Sequence, residues 1–509
     1  MAVRLRFPLI RHALAKLVVS LVFYGGGRNN SLADGTNPPA FSFATVREIA
    51  RGLASKDYHP TQSNLADAWK NLTYDQYQQI HFRPESGPWN GQPVRFTFQF
   101  FHRGFIYADP VLIHLVENGV VRDYPFSQAQ FDAAAKPLPA SLPPDNAFAG
   151  LRVLYPINLP QKQDEVASFL GASYFRVLGL HQQFGASLRG LAIDTAAPSG
   201  EEFPRFTEFW LEKPREQATE VQLFALLDSP SVAGAYRFLI KPGDATVMDV
   251  EASLFARRGG RKIGFAPVSS MFLEGRNRTH FVPDFRPQVH DSDGLLVHGG
   301  ATNWDWRPLV NPVKDHRVSR FPSDNPEGFG LLQRDRRFDQ YEDLQSRYDL
   351  RPSYWIEPQG SWGPGAVELV EIPSPNEYND NIVAYWVPKD APAPGTENHF
   401  AYRLYAILNG PTEPLMHVRE TLLAPEHEKA PPHFVVDFGG MDPGGADPVA
   451  RASTSRGAVR NLIVETNAVA GGWRAAFDLT DSGNEDTYLS LLLVAEDRPI
   501  SETWVYRYP

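Results

Sequence analysis

From Val94 onward the chain is written in twos. Val94, Phe96, Phe98 and Phe100 alternate with Arg95, Thr97 and Gln99, the pattern of a strand with one face in a core and the other in solvent. Similar signals recur at 105–108, 111–115, 151–155, 206–212, 221–227, 235–240 and 250–255. Helical spacing is confined to 45–53 and 65–72, a third turn that Thr73 could cap, and a short stretch at 164–170. The 44 prolines among 509 residues punctuate helices and central strands alike. Many strands at short spacing with Gly/Pro turns predict a large antiparallel sandwich.

The run Pro388-Lys-Asp-Ala-Pro-Ala-Pro-Gly395 is the best linker candidate. Strand signals resume behind it at 400–407, 434–438, 461–466, 473–479, 488–495 and 503–508. That number and spacing fit an immunoglobulin-like sandwich of about seven strands in about 100 residues. The predicted organisation is therefore a first sandwich over 41–387 and a second over 396–509. No internal repeat or heptad pattern is present.

Residues 1–33 have the layout of a signal peptide. Arg4, Arg6, Arg11 and Lys16 precede an apolar run at 17–24, and Ser31-Leu32-Ala33 offers a small-x-small cleavage site. The apolar run is too short to cross a bilayer, which takes about 20 residues. No later run is long enough either, so no membrane span is expected in the mature protein. The formal charge of −10 argues against a general nucleic-acid binder. The absence of cysteine excludes disulfides, thiol nucleophiles and thiolate metal sites, and assigns no compartment.

Chemistry concentrates between Arg286 and Tyr385. Two acidic clusters, His290-Asp291-Ser292-Asp293-Gly294 and Asn376-Glu377-Tyr378-Asn379-Asp380-Asn381, bracket Trp304, Trp306, Trp355 and Trp362. Paired carboxylates with flat aromatic surfaces suit glycosidic cleavage: one acid protonates the leaving oxygen, and the other activates water or attacks. Aromatic rings cover sugar faces while amides and guanidinium groups bind hydroxyls. The same residues also make ordinary Asx turns, core tryptophans and salt-bridged surface. An EF-hand loop is excluded because Leu295 sits at its fifth position and no Glu at its twelfth. A nucleotide-sugar transferase would want a glycine-rich fingerprint or Walker loop, and neither occurs. His427-Glu428 followed by His433 lacks zinc-protease spacing, and there is no G-x-S-x-G elbow. No metal or cofactor is expected.

Several strings in this stretch resemble the periplasmic glucan biosynthesis family, OpgG/OpgD (MdoG/MdoD). They are Asp284 to Leu295, Trp306-Arg-Pro-Leu309, Gln333-Arg-Asp-Arg336, Tyr341-Glu-Asp-Leu344, Arg347-Tyr-Asp-Leu-Arg-Pro352, Val367 to Ile372 and Asn379 to Trp386. Upstream lie Gln79 to Pro84, Phe169 to Arg176 and Arg189 to Thr195; Ser501-Glu-Thr-Trp504 closes the match, which runs from about Phe41 to the C-terminus.

The resemblance implies a mostly β protein, with a galactose-mutarotase-like sandwich followed by an immunoglobulin-like one. It implies a periplasmic location, β-1,2-glucan as substrate and a homodimer as the assembly. Family members include anomer-inverting β-1,2-glucanases and relatives that transfer. A non-catalytic glucan-binding factor is the alternative, and a mutarotase-like epimerase follows from fold alone. Asp380 matches the catalytic acid, with Glu377 beside it. Asp291 is the choice for the base side and Asp293 the alternative, with a turn at Gly294 leaving one of the two in the cleft. Trp306, Trp355, Arg334, Tyr341, Arg347 and Asn379 are expected to bind substrate. An inverting pair of carboxyls would stand about 6.5–9.5 Å apart or more, against about 5–5.5 Å for a retaining pair.

Overall fold

The computed structural model describes residues 40–61, 63–133, 147–278, 283–300, 303–411, 415–427, 430–440, 447–483 and 485–508. The signal-peptide expectation for 1–33 lies outside the described residues.

Two sheets face each other across the main core. Among the described residues the first has ten strands, in the order Thr97–Phe101, Gly150–Tyr155, Asp164–Leu170, Tyr174–Val177, Ser187–Arg189, Ile263–Ser270, Ile382–Pro388, Gly365–Glu371 and Arg317–Ser323, with Ala192–Ile193 paired beside Ile263–Ser270. The second, of fifteen, contains Leu112–Glu117, Arg205–Glu212, Val221–Asp228, Val232–Lys241, Thr246–Ala256, Glu397–Ile407, Ser353–Gln359, Gly328–Leu332, Gly294–Gly300 and Asn303–Pro308. Phe98, Leu151, Phe169, Phe175 and Leu188 of the first sheet meet Leu223, Phe238, Val250, Phe329 and Leu404 of the second. The mostly β sandwich predicted from period-two alternation is thus present.

Three short helices precede the strands: Phe43–Ala54, Asp67–Lys70 and Tyr74–Gln78. The last is closed by a capping box. Thr73 Oγ1 accepts from the Gln76 amide at 3.3 Å, and Gln76 Oε1 accepts from the Thr73 amide at 2.9 Å.

Three expectations are corrected. Asp164–Leu170 is a strand, because it pairs on both sides and buries Val166 and Phe169, which overrides its weak helical spacing. Residues 105–108 belong to a turn closed by Gly104 and Tyr107. The strand Glu397–Ile407 does not open the second sandwich: it pairs with Thr246–Ala256 and Ser353–Gln359 inside the large sheet. The Pro/Gly run before it therefore carries the chain from one sheet of the first sandwich to the other. By strand pairing, the division placed between 387 and 396 moves to after Ile407.

Beyond Ile407, a four-stranded sheet of His417–Ala424, His433–Gly439, Trp473–Thr480 and Ala458–Thr466 faces Val449–Thr454, Thr487–Ala495 and Thr503–Tyr508. These last three strands continue the large sheet, because Thr503–Tyr508 pairs in parallel with Asn303–Pro308. A second core results. Strands of the large sheet are buried on both faces here: Leu295 and Val297 enter the main core while Leu296 enters the second, and Tyr354 and Ile356 flank Trp355 in the same way.

Candidate active site

The floor of the candidate site is the outer face of the ten-stranded sheet. With Leu151 and Val153 turned inward, Arg152 faces out; with Phe175 and Val177 inward, Tyr174 and Arg176 face out; with Leu188 inward, Ser187 faces out. Glu165 and Ser168 join them from the intervening strand. The rim is aromatic: Tyr74 and Tyr77 on the capped helix, Tyr107 on the 104–107 turn, Phe184, and Tyr378 on a loop from the opposite side. Together they enclose a cleft of 850 Å³, within the usual range for ligand sites of about 300–1,000 Å³.

Asp380 stands at the edge of this floor, exposed, on the loop between Gly365–Glu371 and Ile382–Pro388. Pro373 and Pro375 keep the loop out of the sheet ladder. Its end is fixed by buried Asn381, whose Oδ1 accepts from the Phe272 amide at 2.8 Å and whose Nδ2 donates to the Phe272 and Ile372 carbonyls at 3.0 Å each. Asp380 thus projects from a rigid anchor, and its Oδ2 accepts a hydrogen bond from Ser187 Oγ at 2.9 Å. Asn379 lines the cleft beside it. Glu377 turns away: Arg286 pairs with it at 2.8 Å and Tyr348 Oη donates to it at 3.1 Å.

The two aspartates of the first cluster point to different surroundings. A bend spans Asp291 to Asp293, and Gly294 begins the next strand, where an added Cβ would enter the Trp306 ring. The bend thus comes before the glycine on which the turn was expected. Asp291 is 3% exposed and ion-paired with Arg351. Burial raises the proton affinity of its carboxyl, Arg351 opposes this, and the charge of Asp380 adds to it. Asp293 instead accepts from the backbone amides of Arg334 at 2.9 Å and Asp335 at 3.2 Å. Its Oδ1 is buried without a partner among the described residues, and burial pushes the carboxyl up to about 6. Asp293 borders a small space beside Trp306 and Glu420, separate from the Asp380 cleft.

Known proteins resemble this chain over nearly its whole described length. The family model described as "Periplasmic glucan biosynthesis protein, MdoG" matches residues 41–508. The chain belongs to this family. "Glucans biosynthesis protein G" of Rhodopseudomonas palustris is 44% identical over 482 residues, covering 92% of this chain and 94% of that one. The protein of the same name in Pseudomonas paraeruginosa is 44% identical over 492 residues, covering 92% and 93%.

Several residues expected at the site of this family member lie elsewhere. Trp306 and Trp355 are each 3% exposed and belong to the second core. Trp306 is covered by the Arg334 guanidinium at 3.6 Å, and Trp355 stacks on Trp304 with centroids 5.9 Å apart. No ring face is left for a sugar. Arg334 is bidentate to Glu502, with Nη2 donating to Oε2 at 3.0 Å, and also donates to the Val418 carbonyl at 2.7 Å. It ties the two sandwiches together. Tyr341 is fully buried, its hydroxyl donating to the Asp335 carbonyl at 2.9 Å. Arg347 is engaged with Asp349 at 2.7 Å. These five side chains support the walls of the protein rather than the cleft; of the expected substrate-binding residues only Asn379 lines it.

Tyr174, Arg176, Ser187 and Glu165 also line the cleft and were not among the expected site residues. Tyr174 and Arg176 fall inside the family-like string Phe169 to Arg176. The signal was the outward half of that string, polar positions alternating with Phe175 and Val177. Burial also raises the proton affinity of Glu165. Arg152 stands 3.6 Å from it.

Proposed function

We propose that this protein is exported to the periplasm and acts there in osmoregulated glucan biosynthesis, cleaving or transferring β-1,2-glucan with inversion at the anomeric carbon. Asp380 is its general acid. The observation that carries this is the exposed Asp380 carboxyl on the wall of a polar, aromatic-rimmed cleft, steadied by Ser187. Tyr174 and Tyr378 offer ring surface to pyranose faces, and Arg152 and Arg176 offer donors to hydroxyls.

In the proposed step Asp380 gives its proton to the glycosidic oxygen, directly or through a sugar hydroxyl, as the bond to the anomeric carbon breaks. A water or an acceptor hydroxyl forms the new bond from the opposite face. Its proton must leave. Asp291 is closed off by burial and by Arg351, so it takes that proton through a relay of water and substrate hydroxyls rather than by contact.

The burial of Asp291 also favours a second reading, a glucan-binding factor that does no chemistry. Product analysis with purified protein and linear β-1,2-glucan separates the two. New reducing ends mean hydrolysis, re-linked chains mean transfer, and an unchanged polymer that binds means the factor. Asp380→Asn keeps the shape and removes the proton; turnover should fall about 10²–10⁴-fold. Near-normal turnover would refute the acid assignment. Export is checked by sequencing the N-terminus of periplasmic protein, expected to begin at or near Asp34; intact cytoplasmic chains starting at Met1 would contradict it.

A further inference from the structure

A second cleft, of 650 Å³, shares no lining residue with the Asp380 cleft. It opens between Arg317–Ser323, the edge strand of the ten-stranded sheet, and the outer face of Val449–Thr454, Thr487–Ala495 and Thr503–Tyr508. Period two dictates its chemistry. Leu489, Leu491, Trp504 and Tyr506 pack into the second core, which turns Tyr488, Ser490 and Arg507 outward.

The result is a hydroxyl-rich surface in which Tyr488 is the exposed aromatic ring, while Phe321 and Tyr506 line the cleft from more buried positions. Tyr488 is 52% exposed, with the Arg507 guanidinium 5.6 Å from its ring centroid. Ser453 and Ser490 share one hydrogen bond at 2.7 Å and keep spare donor and acceptor capacity. Ser455 Oγ accepts from the Tyr488 amide at 2.9 Å. Ser319 Oγ, on the edge strand, is buried without a partner among the described residues.

Charge decides the class of ligand. Every guanidinium at this cleft already faces a carboxylate: Arg507 Nε donates to Asp486 at 2.9 Å, Arg320 stands 3.2 Å from Glu368, and Arg307 stands 3.2 Å from Glu371. An anion would have to compete with these pairs. A neutral polyhydroxyl chain would not: it needs a ring to stack on and hydroxyls to exchange hydrogen bonds with.

We propose that this cleft is an accessory glucan-binding site that takes a short run of neutral sugar units, with Tyr488 as the platform. The proposal rests on the glucan reading above. Its consequence is avidity: a long chain held at both clefts binds more tightly than either site alone, by as much as about 10²–10⁴-fold where the chain can span them.

The test is calorimetric titration of the full chain, carrying Asp380→Asn to prevent turnover, with a linear β-1,2-linked pentasaccharide. Two binding events are expected. Tyr488→Ala should remove one, and so should Ser453→Trp, which fills the cleft from an exposed position. Arg176→Ala should weaken the other. A single event, weakened by Arg176→Ala and untouched by both Tyr488→Ala and Ser453→Trp, would overturn the accessory site and leave the Asp380 cleft standing. Loss of binding with Tyr488→Ala but not with Arg176→Ala would do the reverse. No binding at all would overturn both.

Discussion

The first sandwich has two outer faces, and they have opposite fates. On the ten-stranded sheet, the outward residues of the strands between Gly150 and Arg189 include Arg152, Glu165, Tyr174, Arg176 and Ser187, which line an open cleft. On the large sheet, the outward residues between Gly294 and Gln359 include Leu296, Trp304, Trp306, Leu332 and Trp355, and the second sandwich covers them. Tryptophan on a β face does not by itself mark a sugar platform; the residues around it decide. Where neighbouring outward positions are apolar, the ring is packing. Where they are Arg, Ser and Glu, an aromatic ring is free to meet a ligand.

The sharpest way to break this comparison is to truncate the covered face. Trp355→Ala should cost about 3–5 kcal/mol of stability, the usual range for a buried tryptophan, read as a lowered midpoint in urea. If Trp355 were a sugar platform, stability would hold and glucan affinity would fall instead. The open face should answer in the other way. Arg176 is exposed, with its guanidinium 5.9 Å from the Phe184 ring centroid, so Arg176→Ala should shift stability by less than about 0.5 kcal/mol. If Arg176 donates a charged hydrogen bond to glucan as proposed, its loss should weaken binding by about 1.5–3 kcal/mol, or roughly 10–150-fold. An unchanged KM with a lowered melting temperature would reverse the assignment of the two faces.

The smallest effect concerns the seam between the sandwiches. Burial raises Asp293 to about 6, above its ordinary value of about 3.9. The folded state therefore holds that proton more tightly than the unfolded one. The stabilisation is complete below about pH 4 and is lost as pH rises through about 6. Asp293→Asn should flatten the decline in melting temperature across that window. A slope that persists unchanged would point to Asp305, which burial also pushes up to about 6.

What the sequence made legible follows the same physics. Thr97–Phe101 and the first half of Thr246–Ala256 alternate plainly between buried and half-buried positions, and the more fully buried strands Gly150–Tyr155 and Val221–Asp228 also carry the expected signals. Asp164–Leu170 misleads because it is short and its apolar residues run together; pairing on both sides, invisible locally, makes it a strand. The Pro/Gly run before Glu397–Ile407 marks a change of sheet, which punctuates a sequence just as a domain end does. The loop bearing Asp380 and Asn379 was legible as a turn rich in Asn and Asp. The floor of the cleft was not, because Arg152, Tyr174 and Ser187 are contributed singly by separate strands, and each alone looks like an ordinary solvent-facing position.

The parallel pairing of Thr503 with Asp305 joins positions roughly two hundred residues apart, and such non-local contacts form late because loop closure must precede them. Until that strand arrives, the Asn303–Pro308 strand is a bare edge beside an uncovered row of tryptophans, the kind of surface that recruits other chains. A nascent chain halted before Thr503 should therefore be aggregation-prone and open to protease. Synthesis of the Thr503–Tyr508 strand is then what turns a sticky intermediate into a closed molecule.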